Sequence, residues 1–436
     1  MREISRVPTS PYHTKTLLRV ILLAECTHEY FDADGLLFLS EEVDFFTDKD
    51  SLIEIFVHFI LENSFGYSKI NNWGDFWQQE GLFTAQSLQV LAKSQSRKTV
   101  FERIFIQNRN RRLNRDILVD LTAIIPNTGQ YDHNSTFVQN ALSLSKSVKW
   151  SGLTSMITNY MDATKPGFVS QLLANDNFSN LIFEEKSFSK IENQNLVSLV
   201  EKWTKPIAAF IQVDESLSSG ITLQKFQIQA TYSNGMMTPD LDIPIIYSMS
   251  DRVRRPLMLD SDEIVELNID QPYILIEPNA NCRVLYSYAM TGIIIKSIEV
   301  KRDLDERNAF MSPFQRAVFV SDMFYFTRSG LADYEQLVRL TSSLLVENDT
   351  SIWIATIDGF DWIRKVLSHS YDTRESQWLS QFVTTKLYSA LARSQSQPAR
   401  YFFKLFNLNK QVFQKTVDRK YCCIWSHYKR NSKDRI

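Results

Sequence analysis

The stretch ITLQKFQIQATYS, residues 221–233, decides the fold class because its apolar and polar residues alternate along the chain. A period of two residues places successive side chains on opposite faces of a strand. Further short runs up to residue 300 have the same strand-like composition, and turn signals such as Asn-Gly and Pro-Asn separate them. These runs are EIVELNI, YILIE, CRVLYSYAM and GIIIKSIEV. The segment therefore predicts a small antiparallel module, either a sandwich or a barrel.

Helical patterns predominate on both sides of this module. Residues 50–63, DSLIEIFVHFILEN, begin with a capping Asp-Ser pair and continue with apolar residues three and four apart. Residues 331–345, LADYEQLVRLTSSLL, have the same spacing. Glycine is scarce, at 12 of 436 residues, which also favours helices. One apolar run, SIWIATI at 351–357, predicts a single buried strand in the C-terminal part.

The sequence thus predicts an α+β fold that is predominantly helical and multi-domain. Residues 1–212 are expected to form a helical region, and residues 213–308 a β-rich module. Residues 309–436 are expected to be mainly helical, with one buried strand and a basic amphipathic end.

Composition indicates a globular protein of a reducing compartment. Hydrophobic residues make up 44% of the chain, which is enough for well-buried cores. Four cysteines are too few and too unevenly placed for a disulfide framework. No uncharged run reaches the roughly 18 residues of a membrane-spanning helix. We therefore expect a cytoplasmic location and no membrane partner.

Glycine positions exclude several common catalytic motifs. The smallest separation between two glycines is that of Gly74 and Gly81, and no glycine precedes a lysine. G-x-G-x-x-G, G-x-S-x-G and the standard phosphate-binding loop are therefore all missing. The sequence argues against classical dinucleotide binding, a nucleophile elbow and a P-loop ATPase.

Charge is segregated along the chain, and this distribution leads to the first function hypothesis. Residues 1–92 and 151–310 are net acidic, whereas residues 93–150 and 311–436 are net basic. Arginine-rich loops contact phosphate groups well through their forked donors. We therefore expect a non-catalytic subunit of a multi-protein assembly, such as a DNA-processing or defence complex, that contacts the DNA or RNA backbone. The predicted contacts are Arg109, Arg111, Arg112, Arg115, Lys404, Lys415, Arg419, Lys429 and Arg430.

The C-terminal residues of that set lie in a segment rich in both aromatic and basic residues. Residues 393–436 contain 11 basic and 2 acidic side chains. On a helical wheel most aromatic residues of the segment share one face and most basic residues the opposite face. This arrangement predicts an amphipathic end whose basic side meets an anionic partner without reading sequence.

Two alternative functions remain open at this stage. In the first, Asp358 follows the predicted strand, and Asp361 and His369 lie shortly after it. Carboxylates at the end of a strand can hold Mg²⁺ for a nuclease or phosphodiesterase, with the histidine as proton carrier. In the second, the chain is purely a protein-docking subunit. No cofactor or metal is expected unless the nuclease alternative holds.

One short motif resembles a known family. The stretch YFDADGLLFLSEE partly resembles the calcium loop of the EF-hand family, with Asp32, Asp34, Gly35 and Glu41 at matching positions. Tyr30 occupies the first position, where the family has an oxygen ligand. The alternative interpretation, which we favour, is a turn in which Asp and Gly serve backbone geometry.

Overall fold

A computed structural model describes fewer than half of the 436 residues of the chain. The described residues are 19–23, 30–33, 36–40, 55–56, 59, 84–85, 101–102, 105–106, 109–110, 113, 145–167, 209–216, 224–232, 242–259, 264–269, 273–279, 281–301, 303–344, 347 and 349–368. Two compact units divide the chain, of which the first comprises residues 1–343 with 351–362 and the second residues 344–350 with 363–436. The three predicted domains, with their two boundaries, stay predictions.

The first sheet lies in the region that the sequence predicts to be helical. Its strands are β1 (Arg19–Leu23), β2 (Tyr30–Ala33) and β3 (Leu36–Ser40), in the order β1-β3-β2. β1 pairs with β3 in parallel, and β2 pairs with β3 antiparallel. The stretch that resembles a calcium loop is therefore two paired strands and not the loop between two helices. Asp32 lies within β2, opposite Leu37, which corrects that resemblance.

Seven strands lie among the described residues in and next to the predicted central β-region. They are β4 (Ala209–Ser216), β5 (Gln224–Tyr232), β6 (Ile243–Ser248), β7 (Arg255–Leu259), β8 (Val265–Ile269), β9 (Leu275–Ile276) and β10 (Arg283–Tyr286). They form a four-stranded sheet in the order β10-β4-β5-β8 and a three-stranded sheet in the order β7-β6-β9. All pairings are antiparallel except that of β10 with β4.

The quoted stretch at 221–233 does contain a strand, β5, which pairs with β4 on one side and β8 on the other. The described strands of this central region form two sheets, and they do not close into a barrel. Tyr286 links these sheets, because its hydroxyl oxygen accepts a hydrogen bond from the Ile276 backbone N–H at 3.0 Å. Burial raises the pKa of the Tyr286 phenol, which therefore stays protonated.

Six helices with defined ends lie in the described part of the chain. They are α1 (Ser145–Thr164), α2 (Tyr288–Val300), α3 (Leu304–Phe310), α4 (Pro313–Arg328), α5 (Tyr334–Ser343) and α6 (Thr350–Ser368). Further helical positions are residues 55, 56, 59, 84, 85, 101, 102, 105, 106, 109, 110 and 113. The fold is therefore mixed helix and strand, and the predicted predominance of helix in a multi-domain chain is not confirmed.

Two predicted strands are helices, and both errors have the same cause. GIIIKSIEV lies in α2, where Met290, Ile294 and Ile298 are buried at a spacing of four residues. SIWIATI lies in α6, where residues 351–356 are all buried. A short apolar run has the same appearance in a buried helix and in a buried strand. Helical burial on the actual neighbours outweighs the strand preference of isoleucine and threonine.

Helix α4 is the element that positions the central cluster of charged residues. Ser312 caps it through a capping box, in which its hydroxyl accepts from the Gln315 N–H while the Gln315 side chain accepts from the Ser312 N–H. Edge-on aromatic pairs attach the helix to the four-stranded sheet: Phe326 packs on Phe210 and Tyr286 on Phe319. Such pairs add to the stabilisation from apolar burial.

Within the described part of the chain, no helix combines the length and the hydropathy that crossing a bilayer requires.

Candidate functional site

Asp322, in the middle of α4, accepts four hydrogen bonds in the interior. The Arg109 guanidinium donates from both terminal nitrogens, at 2.7 Å to Oδ1 and 2.9 Å to Oδ2. Arg283 donates to Oδ1 at 2.9 Å, and the Val284 backbone N–H donates to Oδ2 at 3.0 Å. The side chains of the Arg109 and Asp322 pair are only 1% and 2% exposed. We call these three side chains, Arg109, Arg283 and Asp322, the buried arginine cluster.

Arg109 also holds the chain segment that enters β10. Its Nε donates to the Asn279 carbonyl and its Nη2 to the Cys282 carbonyl, each at 2.7 Å. Asn279 fixes the same turn, because its side-chain oxygen accepts from the N–H groups of Asn281 and Cys282. Its amide group donates to the Pro244 carbonyl of β6 at 3.2 Å. The guanidinium thus organises the turn before β10 while it neutralises Asp322.

A helical face brings Arg109 to this position; its described residues are 101, 102, 105, 106, 109, 110 and 113, and we call it the helical face at 101–113. The rings of Phe101 and Phe105 pack on Phe314, at centroid distances of 5.6 and 5.0 Å. Five residues after Phe105, Asn110 accepts a 2.6 Å hydrogen bond from the Ser321 hydroxyl. Residues four apart share one helix face, so Arg109 follows Phe101 and Phe105 directly. This face lies along α4.

Arg283 is the second cation of the cluster, and its surroundings change its titration. Burial lowers the pKa of its guanidinium to about 10, although the attraction of Asp322 opposes that shift. The guanidinium also stacks over the Tyr325 ring, 4.3 Å from the centroid, and Arg328 approaches the same ring at 5.1 Å. A tyrosine face attracts cations, which helps to accommodate two guanidinium groups beside one carboxylate.

The chemical capacity of the cluster is to hold elements together. Its carboxylate is fully engaged by donors, and an arginine side chain does not act as a proton acceptor in proteins. A buried carboxylate with these partners binds neither solvent nor substrate directly. The cluster joins the helical face at 101–113, the turn before β10, and α4.

Among the predicted nucleic-acid contacts, Arg109 is the one that lies in the described residues. The prediction that Arg109 contacts nucleic acid is wrong. Its side chain is buried, and its donors are committed to Asp322 and to two backbone carbonyls. No phosphate can reach a guanidinium in that environment. The other predicted contacts lie outside the described residues; they are Arg111, Arg112, Arg115, Lys404, Lys415, Arg419, Lys429 and Arg430.

The residues of the nuclease alternative do not lie at the end of a strand. Asp358 is an exposed residue of α6, in the middle of that helix. Asp361 belongs to the same helix, and His369 lies outside the described residues. Residues 351–357, which the sequence predicts to be a strand, lie in a helix. The carboxylates therefore do not meet at the end of a strand. Among the residues that the structure describes, no three His, Cys, Asp or Glu side chains form a group suited to a metal ion.

A second group of arginines lies at the turn between β6 and β7 and at the first residue of β7; its members are Arg252, Arg254 and Arg255. Arg254 forms a two-pronged pair with Glu277 at 2.8 and 2.9 Å, and Arg255 pairs with Asp251. The Arg255 hydrogen bond holds the pKa of Asp251 at about 2. Arg252 has a positive φ of 57°, which closes the turn. These arginines therefore brace an exposed turn on the protein's own carboxylates.

Sequence reasoning missed Asp322, Arg283 and Tyr286. A signal for Arg109 was present, since it continues the four-residue spacing of Phe101 and Phe105. An arginine on the apolar face of a helix requires a buried anion. The sequence does not indicate which residue is that anion, because Asp322 lies 213 residues away along the chain.

The sequence is similar in part to two curated aminopeptidases of insects. The membrane alanyl aminopeptidase of Heliothis virescens is 41% identical over 54 residues, which are 12% of this chain and 5% of that protein. The membrane alanyl aminopeptidase of Manduca sexta is 25% identical over 87 residues, 20% of this chain and 8% of that protein. The matches thus cover less than a tenth of each relative. No family profile matches the chain.

A solved structure extends the similarity to the fold. Aminopeptidase A of Legionella pneumophila, crystallised in complex with aspartic acid, superposes with a TM-score of 0.51 at 14% sequence identity. The superposition covers 86% of this chain and 45% of that chain. The described architecture therefore resembles that of a part of that protein.

These similarities overturn the predicted function. The similar proteins are aminopeptidases, so a DNA-binding subunit of a larger assembly is the wrong class of protein. Neither alternative, the metal-dependent phosphodiesterase or the docking subunit, names a peptidase. Segregated charge misled the prediction because it reports on surface potential and not on the kind of partner.

Proposed function

We propose that this chain is a peptidase-related protein whose ligands are peptides with a free amino terminus. The observation that carries the proposal is the agreement of two kinds of similarity. A local sequence match and a fold match over 86% of the chain both lead to aminopeptidases. Because the fold match is at 14% identity, the proposal takes the ligand class from the sequence match and the framework from the fold.

The described contacts are compatible with such a framework. A binding surface needs elements that do not shift when a ligand arrives. The buried arginine cluster and the Tyr286 hydrogen bond fix the two central sheets, α4 and the helical face at 101–113 relative to one another. The proposal assigns these residues a positioning role and no contact with the peptide.

The test is peptide binding by the purified 436-residue chain. Two peptides of one sequence, labelled at the carboxyl end and differing only in acetylation of the amino terminus, are compared by fluorescence anisotropy. An alanine-led and an aspartate-led pair cover the residue types named in the similar proteins. We expect the free amino terminus to bind at least about tenfold more tightly, since acetylation removes a charge-assisted hydrogen bond.

A parallel assay follows the release of a fluorophore from alanyl and aspartyl substrates. Hydrolysis supports the proposal as well, because cleavage requires recognition of the same amino terminus. If the chain neither binds nor cleaves these peptides, or binds the acetylated and free forms equally, the proposal is wrong.

A further inference from the structure

Strand β1 lies at the edge of the first sheet within the described part of the chain. β3 pairs with it in parallel on one side, and no described strand pairs with it on the other. Its outer side therefore presents backbone N–H and C=O groups that the described strands do not use. We call this outer side, formed by residues 19–23, the β1 edge.

The side chains along the β1 edge are apolar and exposed. Val20, Ile21 and Leu22 are 47%, 36% and 53% exposed. Other exposed large apolar side chains of the described residues occur singly in the sequence, which is ordinary for a protein surface. They are Val253, Ile264, Tyr288, Val300, Leu331 and Tyr334. Three such residues in succession distinguish β1 from the rest of the described surface.

The apolar layer that covers β3 does not extend over β1. Val20 pairs with Leu37 and Leu22 pairs with Leu39, so these four side chains share one face of the sheet. Leu37 and Leu39 are fully buried in a hydrophobic cluster, whereas Val20 and Leu22 beside them are about half exposed. A further strand beside β1 would cover these two side chains and continue the same layer.

The sequence of β1 does not protect its edge against pairing. Proteins usually block an open sheet edge with a lysine, a proline, a bulge or a covering segment. β1 has the sequence RVILL, in which Arg19 at the first position is the one charged residue and proline does not occur. Its register with β3 runs through all five residues without a bulge. The strand is therefore suited to accept another strand.

The size of the β1 edge indicates a peptide rather than a second copy of the chain. Five residues of strand are about 17 Å long, and neighbouring strands lie about 5 Å apart. A stable dimer buries about 800 Å² on each partner, far more than a strip of these dimensions provides. Addition of a strand to a sheet edge is a recurring mode of peptide recognition, in which main-chain hydrogen bonds give affinity and alternate side chains give specificity.

We infer that the β1 edge binds an extended peptide segment that has apolar side chains at alternate positions, next to Val20 and Leu22. The inference rests on the proposed function for its ligand class. It adds where on the chain the peptide lies, which conformation it adopts and which side chains it carries.

The first experiment measures binding of an alanine-led peptide, in which valine and threonine alternate, to the 436-residue chain by fluorescence anisotropy. Leu22→Lys places a charge on the edge, and we expect it to weaken binding at least about tenfold. Because Leu22 is exposed, the urea midpoint of this variant should stay near that of the parent protein.

Ile264→Lys is the matched control. Ile264 is 51% exposed and directly precedes β8, which is an edge strand of the four-stranded sheet. This variant should bind the peptide as the parent protein does. Equal binding by Leu22→Lys and the parent overturns the inference, and so does a loss of binding that only Ile264→Lys shows.

Methylated peptides test the strand pairing itself. In an added strand, the N–H groups of alternate residues point towards the neighbouring strand. N-methylation of the valines or of the threonines therefore removes donors from one side of the peptide only. We expect one of the two methylated peptides to lose binding and the other to keep it. If both bind as the unmodified peptide does, the peptide is not paired with β1 and the inference is wrong.

Another occupant of the edge gives a different result. Analytical ultracentrifugation of the parent protein and of Leu22→Lys measures self-association without any peptide. A parent dimer that Leu22→Lys dissociates shows that a second copy occupies the β1 edge, and this result overturns the inference.

The inference and the proposed function fail in different ways. If the acetylated and free peptides bind equally and Leu22→Lys weakens both, the proposed function is wrong and the inference stands. If the free peptide binds more tightly and Leu22→Lys has no effect, the proposed function stands and the inference is wrong. A chain that binds neither peptide overturns both.

Discussion

Asp322 is the shared acceptor of two buried guanidinium groups, so its removal should be more damaging than the removal of either arginine. Asp322→Asn leaves two buried cations without their anion, and we expect the free energy of unfolding to fall by about 3–5 kcal/mol. Arg109→Met leaves Asp322 paired with Arg283. Arg109→Met should therefore lower the free energy of unfolding by less, about 1–3 kcal/mol, a loss that comes mainly from the hydrogen bonds to two backbone carbonyls. Urea unfolding measures both values.

An exposed ion pair provides the control for these two stability losses. Glu277→Gln weakens the pair with Arg254, whose side chain is 47% exposed, and should change stability by no more than about 1 kcal/mol. An Asp322→Asn protein that is as stable as Arg109→Met would contradict the charge arrangement described for the cluster.

Asp251 should titrate well below an ordinary aspartate. The Arg255 hydrogen bond lowers the pKa of Asp251 to about 2 from 3.8. A lowered folded pKa means that the pair's stabilisation is present above pH 3.8 and is lost as the pH falls through about 2. Carboxyl NMR titration measures this pKa. Arg255→Met should move the pKa up towards 3.8, whereas Arg254→Met should leave it unchanged.

At the scale of single residues, the sequence could predict that Arg109 is buried, but it could not predict that Asp322 is its partner. Arg109 continues an apolar helical spacing, and that pattern alone indicates an interior position. Its grouping with Arg111, Arg112 and Arg115 instead led to a phosphate-binding hypothesis. Charge density along the chain does not distinguish an inward from an outward arginine, whereas helical phase does.

Among the helices, two glycines make a matched comparison. A Cβ atom built on Gly359 of α6 would lie 2.2 Å from the Phe324 ring of α4. Gly359→Ala should therefore destabilise by about 1–3 kcal/mol, although alanine is the better helix former. A Cβ on Gly292 of α2 would lie 3.7 Å from the Gln336 amide nitrogen, which is an ordinary contact. Gly292→Ala should stabilise by up to about 1 kcal/mol. Thermal unfolding of both variants checks the difference in sign.

The glycine comparison also tests the revised assignment of α6. The sequence suggested a strand at 351–357, whereas these residues and Gly359 lie in the helix α6. In this helix, alanine at position 359 is unfavourable because of the contact with the Phe324 ring. Phe324→Leu should therefore reduce the cost of Gly359→Ala, and equal costs in both backgrounds would contradict the helix packing.

The sequence predicted secondary structure correctly where apolar and polar residues alternate clearly. The prediction was wrong where an apolar run is short. β5 has a strict two-residue period, and its strand is present. GIIIKSIEV and SIWIATI carry isoleucine and threonine, which favour strands, yet both form helices that are buried over much of their surface. Only the neighbours in space decide such cases, and the sequence does not name them.

For the whole molecule, the predicted boundaries fall inside elements of the structure. A cut between residues 212 and 213 divides β4 (Ala209–Ser216), and a cut between 308 and 309 divides α3 (Leu304–Phe310). The buried arginine cluster also draws on residues from both sides of the central β-region. The sequence located the strands of this region but gave no sign that their charges are neutralised by distant helices.

A fragment of residues 213–308 should therefore not fold alone. It retains Arg283 but lacks Asp322 and Arg109, and it loses half of β4, which pairs with both β5 and β10. An unneutralised buried cation and an interrupted sheet each cost several kcal/mol, which is comparable with the whole stability of a small domain. We expect no cooperative urea transition in the fragment. The chain 1–368, which contains the first compact unit entirely and keeps α6 whole, should retain one. A sharp transition and ordered near-ultraviolet circular dichroism in the fragment would instead establish the central region as an independent domain.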